Sequence, residues 1–134
     1  IGVIKSFFDS AFLYPWNLKH YADIGVNHFK FASLPYTRYD FEIESFKEYL
    51  YCVENGIGDI TFYDFFNKIF LCHYRFGDIC KKIPKTLKLS EVIPYFPKIE
   101  YFIENGEKCS YKCGVDCTYC DDCTDKLKNQ FFYK

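Results

Sequence analysis

The chain has no methionine, only one tryptophan (Trp16), and no run of apolar residues near the roughly 18 that a membrane-crossing helix requires. The missing methionine extends to position 1, which predicts a processed product or a piece of something longer. Residues Ile1 to Ser10 lack the basic flank and apolar core of a secretory leader, so the expectation is a cytoplasmic chain without a membrane. Excess charge of either sign is missing too. Lysine plus arginine (17) against aspartate plus glutamate (18) leaves a formal net charge of -1, which argues against a protein that works by gripping nucleic acid backbone. A glycine-rich phosphate loop, a G-x-S-x-G elbow and an H-E-x-x-H helix are also lacking, so no common catalytic template fits. No catalytic residue is assigned, and the isolated chain is not expected to be an enzyme by itself.

What is present suffices for a core. The 134 residues are 49% hydrophobic and 22% aromatic, a length and composition that fit one domain with a small appendage. Gly2–Phe7 reads as a short β-prone run. Pro15-Trp16-Asn17 then opens a helix, with Asn17 as cap, Leu18, Tyr21 and Ala22 on one face and Gly25 closing it. Val26–Phe31 reads as a strand. A second helix starts at Asp40 with the stripe Tyr39, Ile43, Phe46, Leu50 and Val53, and ends at Gly56. Thr61-Phe62-Tyr63-Asp64 forms a capping box for a third helix bearing Phe62, Phe65, Phe66, Ile69 and Phe70, which must pack on something apolar.

The order β-α-β-α with short connections predicts an α/β fold, a partial parallel sheet covered by helices. The lysine-rich stretch 81–88 reads as a connection, Ser90 restarts order, and Pro97, Ile99, Phe102, Ile103 and Gly106 mark a short helix. The expected organisation is thus an α/β segment over 1–80, a linker and short helix over 81–108, and a cysteine-rich tail over 109–134.

Of eight cysteines, Cys52, Cys72 and Cys80 lie early, whereas Cys109, Cys113, Cys117, Cys120 and Cys123 fall within fifteen residues. A disulfide scaffold spreads its cysteines to close loops along the chain, so clustering points to a metal. Thiolates at two- and three-residue gaps suit an iron–sulfur cluster, because one short loop can wrap it. The gaps reverse those of the bacterial ferredoxin run and lack its proline. Cys113, Cys117, Cys120 and Cys123 form the compact ligand set for a [4Fe–4S] cluster, with Cys109 a substitute or a spare thiol. Zinc is the rival, with a split site drawing on Cys72 or Cys80 a variant of it, and disulfides or free thiols are the third reading. Asp116, Asp121, Asp122 and Asp125 either lower the potential of such a cluster or are solvated surface groups.

Elsewhere the bland readings lead. His73 beside Cys72 is not the spatial pairing a catalytic cysteine needs. His20 reads as surface, His28 as a hydrogen-bonded sheet histidine, and Lys30 as outward and solvated unless it faces a barrel interior. Aromatics at helical spacing read as core rather than as base-stacking platforms.

Two stretches resemble the C-terminal part of peptidase family U-32, the collagenase-like group. One is Ile4-Lys5-Ser6 with PWNLKHYADIGVNHFKF over 15–31, similar to that family's helix start, "Y-E-x-I-G-I" helix end and "F-K-I" strand. The other is CGVDCTYCDDCTDKL over 113–127, similar to its closing cysteine knot, and between them GIGDI at 56–60 sits where relatives carry a "G-N-L" turn. The resemblance implies a TIM-like barrel of which this chain supplies the last two βα units and the tail, with the remainder of a larger protein or a partner chain supplying the rest. It also implies a peptidase, or hydroxylation of RNA bases or quinone precursors as in iron–sulfur relatives. Ala32-Ser33-Leu34, with Arg38 displaced, stands where relatives place a Gly-Arg pair, so only Cys113, Cys117, Cys120 and Cys123 carry over.

Overall fold

The computed structural model describes residues 4, 5, 8, 13–30, 39–69, 82–106, 109 and 115–132. They are helical: a 3-10 turn Pro15–Asn17 leading into α1 (Leu18–Asp23), α2 (Tyr39–Asn55), α3 (Phe62–Asp64) continued by a π turn Phe65–Ile69, α4 (Leu89–Val92) with a 3-10 turn Ile93–Tyr95, α5 (Ile99–Glu104) and α6 (Tyr119–Phe131). Among the described residues there is no strand, and Thr61 and Lys88 form an isolated antiparallel bridge.

The expected β-α-β-α barrel segment is therefore corrected. Ile4, Lys5 and Phe8, in and beside the run read as a strand, have helical backbone. Ile4 and Phe8, four apart and each 2% exposed, share one buried face, so the period is helical rather than alternating. Val26–Lys30 has no regular structure and every residue in it is exposed. Nothing apolar is covered there that would drive a sheet to form.

The chain divides into two compact units, Leu13–Ser90 and Ile1–Phe12 with Glu91–Lys134. In the first, the start of α1 departs slightly from expectation: Asn17 precedes the helix but its side chain makes no capping bond, and Pro15 sets the first turn instead. The end of α1 follows it closely. Gly25, at φ +98, lets its own N–H reach the Ala22 carbonyl (3.0 Å) and the Val26 N–H reach the Tyr21 carbonyl (3.0 Å), the paired bonds of a Schellman stop. Gly56 ends α2 with a single bond back to the Cys52 carbonyl.

Helix α2 already runs at Tyr39 and Asp40, so Asp40 lies inside it rather than ahead of it. Its buried side is not the predicted stripe. Ser45 (1% exposed) and Cys52 (5%) are inside, whereas Ile43, Phe46 and Leu50 are each more than a third exposed. Polar anchors set this rotation: the Ser45 hydroxyl donates to the Ile69 carbonyl (2.8 Å), and the Tyr49 hydroxyl to the Leu13 carbonyl (2.7 Å). Residues 45, 49 and 52 share a face at helical spacing.

The aromatic helix behaves as its spacing predicts. The Thr61 hydroxyl accepts from the Asp64 N–H (3.1 Å), and Phe62, Phe65, Phe66 and Ile69 are buried. Phe62 meets Phe66 edge-on at 4.8 Å, and Trp16, itself stacked on Tyr14, leans on Phe65 at 5.7 Å. Each fully buried phenylalanine contributes about 1.5–3 kcal/mol by removing apolar surface from water. Phe70 and the 71–81 stretch lie outside the described residues. The lysine-rich connection is better anchored than its composition suggests: Ile83 and Leu87 are buried, and bonds from the Phe62 N–H to the Leu87 carbonyl and from the Leu89 N–H to the Ile60 carbonyl flank the Thr61–Lys88 bridge.

In the second unit, Phe8 packs against Phe96 at 5.0 Å and Tyr95 against Phe131 at 5.5 Å. Helix α6 buries Cys120, Cys123, Thr124 and Leu127, an i, i+3, i+4, i+7 face. Of the face expected on α5, Ile99 is buried but Ile103 is 68% exposed.

Candidate functional site

The tail cysteines are positioned by α5, the segment after it, and α6. Helix α6 begins behind Thr118, whose carbonyl takes the Asp122 N–H (2.8 Å) and whose hydroxyl donates to the Asp122 carboxylate (3.2 Å). Asp121 and Asp122 in the first turn complement the positive end of the helix dipole. Cys117 stands just ahead of this start, and Cys120 and Cys123 lie one turn apart on its buried face. Cys109 is tied to the end of α5, its N–H donating to the Asn105 carbonyl (3.1 Å).

Between these sulfurs stands a tyrosine pair. The rings of Tyr101 on α5 and Tyr119 on α6 stack with centroids 3.7 Å apart and an interplanar angle of 16°, and Phe102 meets both edge-on. The Tyr101 hydroxyl lies 3.3 Å from Cys117 Sγ, and the Tyr119 hydroxyl accepts from the Lys98 N–H (3.0 Å). Hydrogen bonding to Cys117, then burial, then the negative charge available to Cys117, Cys109 and Cys120, push the Tyr101 phenol up to about 12. Burial foremost raises Tyr119, with Cys123 and Cys120 adding to it while the Lys98 N–H opposes. Burial likewise raises the Cys123 thiol, against the lowering influence of its Tyr119 hydrogen bond. Cys109, Cys117, Cys120 and Cys123 thus all act on one aromatic pair.

The described tail cysteines Cys109, Cys117 and Cys123, like Cys52, are free thiols, and Cys120 is buried. They are the right donor type for a thiophilic metal. Among the described residues, however, no three or more His, Cys, Asp or Glu side chains already stand together as a metal cage. Cys113 lies outside the described residues, as do Cys72, His73 and Cys80.

The acidic residues separate by role. Asp116, Asp122 and Asp125 are exposed, whereas Asp121 pairs with the Lys5 ammonium at 2.8 Å, its Oδ1 shielded from water. His20, His28 and Lys30 are all exposed, with His28 hydrogen-bonded to the Asn27 side chain. Sequence reasoning missed Tyr101 and Tyr119. Their signal was present as an aromatic one residue before Cys120 and another on the helix leading into the cluster.

No family model, curated protein or solved structure matches this chain. Among the described residues, no helix is long and apolar enough to cross a membrane.

Proposed function

We propose that the tail is a cysteine-ligated iron–sulfur module, with a structural or electron-transfer role beside chemistry supplied by a partner chain or by the remainder of a larger protein. The observation that carries this reading is the placement of Cys109 just past α5 and of Cys117, Cys120 and Cys123 at the start of α6, with Cys117 Sγ 3.3 Å from the hydroxyl of Tyr101, whose ring stacks on Tyr119. Ligands come from Cys113, Cys117, Cys120 and Cys123, with Cys109 able to replace one of them. The likeness of 113–127 to the closing cysteines of peptidase family U-32 supports iron.

Anaerobic purification of the full chain followed by metal and sulfide analysis tests it. A brown sample with iron and inorganic sulfide in equal amounts, bleached by dithionite, is the expected result. Stoichiometric zinc in a colourless sample replaces it with the rival, a zinc-binding interaction module without redox role. Tail cysteines oxidised in pairs and free of metal overturn both.

A further inference from the structure

We infer that Cys117 and Cys120 form a dithiol that exchanges with disulfides, Cys117 attacking a disulfide from solution and Cys120 resolving the adduct. The exchange needs no metal, so it stands apart from the iron–sulfur reading.

Spacing and access carry it. Thr118 has turn backbone (φ −109, ψ 3) and Tyr119 opens α6, so Cys117 and Cys120 are the outer residues of one turn, with Cα atoms less than about 7 Å apart. A disulfide spans about 4.4–6.8 Å between Cα atoms. The Tyr101 hydroxyl, 3.3 Å from Cys117 Sγ, also feels the charge available to Cys120, which puts both sulfurs near one oxygen. Access differs between the two. Cys117 is a partly exposed free thiol, whereas Cys120 is 8% and Cys123 9% exposed. Cys109 is also partly exposed, but among the described residues only Cys117 has both contact with solvent and a second cysteine one turn away. A disulfide arriving from water therefore meets Cys117 before it can meet Cys120.

In the first step the Cys117 sulfur bonds to one sulfur of R–S–S–R, the bond between the two R–S groups breaks, and R–SH leaves with the proton that Cys117 gives up. In the second the Cys120 sulfur bonds to Cys117 Sγ, and the other R–SH leaves with the Cys120 proton. The chain is oxidised by two electrons and the incoming disulfide is reduced to two thiols.

The test uses the full chain, freed of metal by a chelator, reduced, and exposed to glutathione disulfide without air. Samples are quenched in acid and their sulfur bonds located by fragment-ion mass spectrometry. Wild type is expected to pass through a glutathione adduct on Cys117 to a bond between Cys117 and Cys120. Cys120→Ser is expected to accumulate the Cys117 adduct, and Cys117→Ser to lose both the adduct at this turn and the bond. Pairing of Cys117 with Cys109, Cys113 or Cys123, an adduct that stays unresolved on wild type, or first attack at Cys120 overturns the inference. Should either variant fail to fold, the wild-type time course decides: an adduct on Cys117 that precedes the Cys117–Cys120 bond supports the inference, and any other order or pairing overturns it. The metal reading is decided separately, by the iron, sulfide and zinc content of chain purified without chelator.

Discussion

Ser45 donates its hydroxyl to the main-chain carbonyl of Ile69 at 2.8 Å, with Ser45 1% exposed and Ile69 5% exposed. A serine in the middle of a 17-residue helix thus satisfies a carbonyl at the end of the π turn. Removing the hydroxyl strands that carbonyl away from water, at a cost of about 1–3 kcal/mol. Ser45→Ala is expected to lower the urea midpoint by that cost divided by the slope, with the slope itself unchanged. A midpoint equal to wild type would mean that the carbonyl has another partner.

The Thr61 cap makes a smaller prediction. Its hydroxyl accepts the Asp64 N–H at 3.1 Å at the start of the aromatic helix. Thr61→Ala is expected to lose about 1 kcal/mol and Thr61→Asp to keep most of it, because aspartate accepts the same bond. Chemical denaturation of the two variants side by side distinguishes loss of the cap from loss of the methyl group.

Phe66 is fully buried, with Phe62 at 4.8 Å and Phe65 at 6.2 Å. Phe66→Ala should cost about 3–5 kcal/mol, the range for deleting a buried aromatic ring. Ile103→Ala, at a residue 68% exposed, should stay within about 0.5 kcal/mol of wild type. Comparable losses at the two positions would contradict the assignment of the core.

These sites show what could be read in the sequence. Thr61, Gly25, Gly56 and the Phe62–Ile69 face were legible because capping, left-handed stops and helical spacing are local properties. The strands were misread because Ile4 and Val26 sit in β-prone runs, and intrinsic preference gives way to whatever surface is available for burial. Helix α2 was recognised but turned the wrong way. Its hydrophobic stripe was counted, whereas hydrogen bonds from Ser45 and Tyr49 to carbonyls 24 and 36 residues away chose the buried face. Spacing of the cysteines drew attention to the tail. It could not reveal that Tyr101 and Tyr119 stand among the sulfurs, since that depends on how α5 meets α6.

Tyr49 gives the chain a calculable response to alkali. Burial pushes its phenol from 10.0 up to about 12. Over that interval the unfolded chain has released a proton that the folded chain keeps, so stability falls as pH rises and is untouched by this group well below 10. Tyr49→Phe loses the hydrogen bond to Leu13, worth about 1 kcal/mol, and is less stable than wild type near neutrality. It also lacks the phenol that must ionise, so the gap between the two should narrow as the pH rises from about 8 to about 11. Urea midpoints across that range test this, and a constant gap would remove Tyr49 from the pH response.

The last prediction separates ligand sulfur from packing sulfur. Cys52 is buried in the Leu13–Ser90 unit, its thiol raised by burial and by the Glu48 carboxylate, and it lies far in sequence from the tail cysteines. Cys117 belongs to the other unit and carries the Tyr101 hydrogen bond. Cys117→Ser should therefore lower the metal content of anaerobically purified chain and raise protease sensitivity in the tail, with the Leu13–Ser90 unit remaining protected. Cys52→Ala should retain full metal and lose only packing, about 1 kcal/mol for a small buried side chain. Metal analysis together with limited proteolysis of both variants is the measurement. Loss of metal from Cys52→Ala, with retention by Cys117→Ser, would move the ligand set out of the tail altogether.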